Sequence, residues 1–182
     1  MKPRAPLMIE HRLIEKMLAV VEREVLFMLD NKVADSIFID AGVDFIKTYA
    51  DRVHHGKEEE IMFSCLAGKT MKTEDQIQMQ ELIEEHKTAR KIVGELVQAK
   101  EEYLQGRGEA LDTILDRLTF LIRFYPEHIR KEDIVFFPNS EKYLTQAEQE
   151  TMLQEFWEFD RKMIHEKYQS VVKEWRIGSG LE

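Results

Sequence analysis

His55-Gly-Lys-Glu-Glu59-Glu-Ile-Met-Phe63 and His128-Ile-Arg-Lys-Glu132-Asp-Ile-Val-Phe136 write one pattern, His-x3-Glu-x-Ile-x-Phe, twice in a chain with 6 histidines. On an α-helix, residues four apart stand one above the other on the same face. Each copy therefore aims an imidazole and a carboxylate at a common point. Two such pairs on facing helices offer neutral nitrogens and carboxylates able to bridge, which is the donor set of a metal site. A single His-x3-Glu on a helix is usually an exposed pair. Its duplication, with the same apolar residues following, argues for a shared buried role.

The rest of the chain supplies the helices this reading needs. It has 182 residues, 43% hydrophobic and 34% charged, with 8 glycines and 4 prolines. That balance favours long amphipathic helices over strands and turns, and the length suits one domain. A net charge of -9 argues against a nucleic-acid surface, and bound cations would offset part of it. The single cysteine, Cys65, excludes an internal disulfide and cysteine-based zinc or iron–sulfur chemistry; it reads as a small buried hydrophobe. No apolar run approaches the roughly 18 residues of a membrane span, and no secretory core follows Met1-Lys2-Pro3-Arg4. The expectation is a soluble cytoplasmic protein that engages neither membrane nor nucleic acid.

Five helical stretches are predicted, and the fold class is all-α. The first starts near Pro6 and buries Leu7, Ile14, Leu18, Val21 and Val25. The second opens at Asp35-Ser36 and ends at Gly68. Thr73 with Gln76 suggests a capping box for the third, which stops before Gly106. The fourth runs from Glu109 to Phe137 and is stopped by Pro138, while Pro126 inside it should kink or break it. Thr145 with Glu148 opens a fifth that carries Phe156, Trp157 and Trp175. Short connections imply an up-down-up-down four-helix bundle over residues 5–138, with an additional C-terminal helix over 145–176 packed outside it. Residues 1–177 then make one domain, and residues 178–182 read as an appended tail.

His11 shares the apolar stripe of the first helix, and His86 lies with Leu82, Ile83, Ala89 and Val93 on the third. Alone, each would more often be a hydrogen-bonded core residue. Together with the duplicated motif they give every bundle helix one inward histidine. The candidate metal ligands are His11, His55, Glu59, His86, His128 and Glu132, with Glu59 and Glu132 as bridges. His54 stands about 100° from His55 on a regular helix and is expected to face a neighbour or solvent. His165, Tyr125 and Arg90 are expected around the centre: His165 as a fifth histidine or a nearby support, Tyr125 as a hydrogen-bond donor, Arg90 as a carboxylate partner. Phe63 and Phe136 would limit access of water. Mixed imidazole and carboxylate donors suit iron, with manganese or zinc as lesser candidates.

Glu10-His11, His55-x3-Glu59, Glu85-His86 and His128-x3-Glu132 resemble the hemerythrin family, in particular bacterial hemerythrin-like proteins with an HHE cation-binding domain. The resemblance covers residues 5–140. It implies a four-helix bundle around two non-haem iron ions, bridged by carboxylates and by an oxo or hydroxo group. Ferritin-like di-iron proteins differ, because they use Glu-x-x-His, which does not occur here. Oxygen-carrying hemerythrins supply five histidines, two of them four apart on the third helix. Here that helix has His86 alone, with Leu82 and Arg90 at the neighbouring turns. Four histidines shift the expectation from carrying O2 toward binding or sensing O2, NO or peroxide, or toward a redox enzyme or an iron-responsive interaction module. A reductant or protein partner is left open.

Overall fold

A computed structural model of the chain describes the backbone of residues 1–179 and the side-chain surroundings of residues 1–167. The side chain of Trp175 and residues 180–182 of the expected tail lie outside the described residues. Five long helical stretches follow one another, and no strand occurs among the described residues. We label them α1 (Arg4–Asn31), α2 (residues 36–67), α3 (Thr73–Leu104), α4 (residues 110–140) and α5 (Gln146–Ser179). The short links between α1 and α4 turn consecutive helices back on each other. Along the bundle α4 packs on both α3 and α1, and α2 packs on α1 and α3.

Local chemistry sets most helix ends. Asp35 caps α2 by accepting from the backbone N–H of Ile37 and Phe38. Thr145 and Glu148 form a reciprocal box at α5: the Thr145 N–H donates to Glu148 at 2.8 Å, and the Glu148 N–H donates to Thr145 at 3.3 Å. Two expectations change. The box expected from Thr73 and Gln76 does not form, because Thr73 is already helical and Lys72 is the cap. Neither proline stops α4. The α-helix Ala110–Lys131 runs through Pro126, and Pro138 falls in the first turn of a fresh α-helical segment, Phe137–Ser140. A proline has no N–H to lose there.

The apolar core is divided in two. One cluster holds Ile14, Leu18, Ala50, Ala89, Val93, Leu118 and Ile129; the other holds Leu7, Met62, Phe63, Leu82, Phe136, Phe137 and Phe156. On every bundle helix the boundary falls at the same kind of residue. His11 lies between Leu7 and Ile14, His86 between Leu82 and Ala89, His54 to Glu58 between Ala50 and Met62, and Glu132 between Ile129 and Phe136. A polar layer thus crosses the core from one side to the other. Among the described residues no helix is long and apolar enough to cross a membrane.

Helix α5 packs on α2, where Met152 and Phe156 are buried. Trp157, on the opposite side, is exposed, with Arg161 over its ring at 4.8 Å.

Candidate metal centre

Helix α2 changes its winding where the polar layer begins. Ile46–His55 and Glu58–Phe63 are π-helical, and Glu132–Phe136 repeats this on α4. A π turn bonds each N–H to the fifth residue back, so it fits one more residue per turn. That rotates side chains away from their α-helical faces. His54 and His55 are consequently both buried at 1% exposure, and Glu58 joins them at 0%. The inward pair four residues apart is His54 with Glu58, and His55 is added to it. Glu59 turns aside and is half-buried. Glu58, not Glu59, is the buried carboxylate of α2 beside the histidines, and His54, expected to face away, faces in.

Two groups of side chains result: His55, His86 and His128 in one, His11, His54, Glu58 and Glu132 in the other, with ligand atoms in each group within 4.8 Å of one another. The carboxylates connect the groups. Glu58 sets Oε1 3.5 Å from Nε2 of His54 and Oε2 3.5 Å from Nε2 of His86. Glu132 sets Oε2 3.2 Å from Nε2 of His11 and Oε1 3.3 Å from Nε2 of His128. Each carboxylate therefore offers one oxygen to each group. All four oxygens are buried and make no well-directed hydrogen bond, and the same holds for Nε2 of His11 and His54. Such orphaned polar atoms cost several kcal/mol per ion unless a cation satisfies them. Imidazole and carboxylate donors arranged in this way fit a pair of divalent ions.

The five imidazoles are held alike. Nδ1 of His11 bonds Asp133 at 2.8 Å, His54 bonds Glu10 at 2.8 Å, His86 bonds Glu59 at 2.7 Å, and His128 bonds Glu85 at 2.8 Å. His55 reaches Asp51 at 3.3 Å. A carboxylate on Nδ1 fixes the proton there and leaves the Nε2 lone pair aimed inward. Arg90 ties two of these supports together, donating to Asp51 and to Glu59 at 2.7 Å each.

Aromatic rings close both sides of the layer. Phe63 stacks on His86 at 6.1 Å and meets Phe136 edge-on at 5.3 Å, while Phe137 stacks on His11 at 5.8 Å. On the other side Phe124 stacks on His128 at 5.9 Å and Tyr125 on His55 at 6.3 Å. The Tyr125 hydroxyl is buried without a hydrogen-bond partner and lines a cavity of about 340 Å³ beside His55 and Arg90. Burial pushes its phenol above the ordinary range. His165 is exposed on α5 and stands in neither group.

Without a cation, the layer must distribute protons. Burial disfavours charge on His11, but its bond to Asp133 and the adjacent Glu132 carboxylate outweigh this and push it up to about 9. Burial likewise opposes charge on His128, yet Glu132 and Glu85 raise it to about 10. Burial pulls His54 down to about 4 despite Glu10. Burial and the nearby Glu132 hold the Glu58 carboxyl well above the usual carboxylate range. Burial alone would do the same to Glu132, but His128 and His11 keep it well below that range.

The chain was also compared with known proteins. A family model described as the hemerythrin HHE cation binding domain matches residues 3–140, and the chain belongs to that family. No curated protein and no solved structure matches it in the corresponding searches. The expected four inward histidines become five, because His54 is buried with the others. The fifth comes from α2 and not from α3.

Two outcomes follow from this geometry. Glu58→Ala and His54→Ala should each reduce metal uptake to one ion per chain in a stoichiometric titration. Glu59→Ala should keep both ions and weaken binding by about 10- to 100-fold, the usual effect of losing an outer support. A Glu59→Ala chain limited to one ion, beside a Glu58→Ala chain that takes two, would refute the assignment. The histidines shape the pH dependence of the metal-free protein around neutrality, and the raised carboxyl of Glu58 adds to the decline as pH rises. His11 and His128 are raised above the unfolded value of about 6.5, so their contribution is complete below it and is lost as pH rises through about 9 and 10. His54 is depressed, so stability also falls as pH drops from about 6.5 toward about 4. Urea unfolding of the metal-free chain should therefore peak near neutrality, and saturating metal should remove the alkaline decline. A stability that rises steadily from pH 6.5 to 10 would contradict it.

Proposed function

We propose that this hemerythrin HHE cation-binding protein holds two iron ions and uses them to bind or sense a small molecule such as O2, NO or peroxide. The observation that carries the reading is the placement of Glu58 and Glu132, each with one unpaired oxygen toward each histidine group. His55, His86 and His128 would hold one ion, and His11 and His54 the other. Bound iron would supply the redox electrons and an open coordination position.

The chain decides where that position lies. Three imidazoles and two carboxylates would offer one ion five donors, and two imidazoles and two carboxylates would offer the other four. The small molecule is therefore directed to the His11–His54 side. Phe137 over His11 keeps that side apolar, which favours a small neutral guest and disfavours bulk water. The carboxylates on each Nδ1 fix the orientation of the imidazoles and raise their basicity as donors, so little reorganisation would accompany a change in the charge of the ions. With five buried histidines, their number no longer weighs against carriage of O2. A redox enzyme built on the same centre stays the alternative, and turnover separates the two.

The test is anaerobic loading with ferrous iron, followed by O2, NO or peroxide, with absorption spectra and reductant consumption recorded. The reading expects two irons per chain and a ligand-dependent charge-transfer absorption that appears stoichiometrically. Fewer than two irons, or no spectral response to any of the three, would contradict it. Sustained consumption of reductant would favour the enzyme.

A further inference from the structure

Helix α5 lies beyond the residues matched by the family model, yet it reaches the centre through a buried cation. Lys57 stands on α2 between His55 and Glu58 and has 0% exposure. Its ammonium pairs with Glu10 of α1 and, at 2.7 Å, with Asp160 of α5. Glu10 divides its oxygens: Oε1 faces Lys57, and Oε2 accepts from Nδ1 of His54 at 2.8 Å. A continuous path therefore runs from Asp160 through Lys57 and Glu10 to His54. Packing reinforces it. A Cβ placed on Gly56 would lie 2.7 Å from the Phe159 ring, so α5 rests directly on the α2 backbone between His55 and Lys57. Farther along, Arg52 pairs with Glu166, and Lys167 pairs with Asp44 at 2.6 Å, both at the solvent-exposed rim where such pairs add little to docking.

We propose that α5 is a clasp on the centre, with Asp160 as a positioning residue for His54, so that docking of this helix and filling of the His11–His54 position favour each other. The inference rests on the two-ion reading given above. A fully buried ammonium is tolerated only when its charge is balanced. With both Glu10 and Asp160 present, Lys57 is held between them, and Glu10 is left free to orient His54. Without the Asp160 carboxylate, Lys57 either draws Glu10 toward itself or leaves for solvent. Both movements disturb the hydrogen bond that keeps the His54 Nε2 lone pair aimed inward. Coupling of this kind is reciprocal: an ion that requires an ordered His54 also favours a docked α5. A partner that lifted α5 would then weaken metal retention at the position open to small molecules.

The experiment uses the full-length chain, titrated anaerobically with ferrous iron, as wild type and as Asp160→Asn, Asp160→Glu and Glu166→Gln. Hydrogen exchange of the amides of residues 146–167 is followed at each loading. Asp160→Asn should weaken binding of one of the two ions by about 10-fold or more, leave the other unchanged, and abolish the iron-dependent slowing of exchange in α5. Asp160→Glu should restore most of the affinity. Glu166→Gln, which loses only an outer ion pair, should titrate like wild type. The clasp is refuted if Asp160→Asn binds both ions with wild-type affinity, if α5 exchange ignores iron, or if Glu166→Gln matches Asp160→Asn. A wild-type chain that takes fewer than two ions overturns the two-ion reading and the clasp with it. Two ions with an indifferent Asp160 overturn the clasp alone.

Discussion

Two carboxylates sit at the centre of the molecule among imidazoles, with no hydrogen-bond donor aimed at them. Glu58 and Glu132 are fully buried, and none of their four oxygens makes a well-directed hydrogen bond. Transfer of such groups from water is costly enough to threaten a domain whose net stability is typically only about 5–15 kcal/mol. A cation pair removes the penalty, and the surrounding architecture is arranged to accept one. Five imidazoles point Nε2 inward, and an outer carboxylate holds each Nδ1. The family to which the chain belongs is named for cation binding, in keeping with that arrangement.

The fold serves this layer at some expense to its own regularity. Two stretches of α2 and one of α4 adopt π winding, and all three adjoin or contain the inward residues. Such turns are rare and usually mark functional sites. Here they let α2 place His54, His55 and Glu58 in one small volume. The apolar core parts on either side of the layer, and stacked rings of Phe63, Phe137, Phe124 and Tyr125 cover the imidazoles. The same rings limit solvent access, which strengthens every electrostatic interaction within.

Much of this was legible in the residues, and the exceptions share one cause. Helical periodicity located all five helices, and the resemblance to hemerythrins named the family. His11, His86, His128 and Glu132 are placed inward by regular spacing and are found there. Glu58 stands in the inward place expected of Glu59, and His54 joins His55 there, because spacing rules assume 3.6 residues per turn and α2 departs from that over its central turns. The Glu58-Glu59-Glu60 run hides which member is buried, since all three are glutamates. The His54-His55 doublet was a usable signal: His54-x3-Glu58 has the spacing of His128-x3-Glu132 as fully as His55-x3-Glu59 does. Arg90 and Tyr125 lie where expected beside the centre, whereas His165 does not reach it. Glu10 and Glu85 stand in the family motif beside His11 and His86, but their bonds to His54 and His128, like that of Asp133 to His11, arise from contacts between helices that local spacing does not encode.

The central claim is that two ions are bridged by Glu58 and Glu132 between unequal histidine groups. Anomalous diffraction at the iron edge from crystals of the iron-loaded chain tests it most directly. The account predicts two peaks about 3.5–4 Å apart, one against His55, His86 and His128 and the other against His11 and His54, with both glutamates between them. A single peak, or a pair in which Glu59 replaces Glu58 as the bridge, would contradict it.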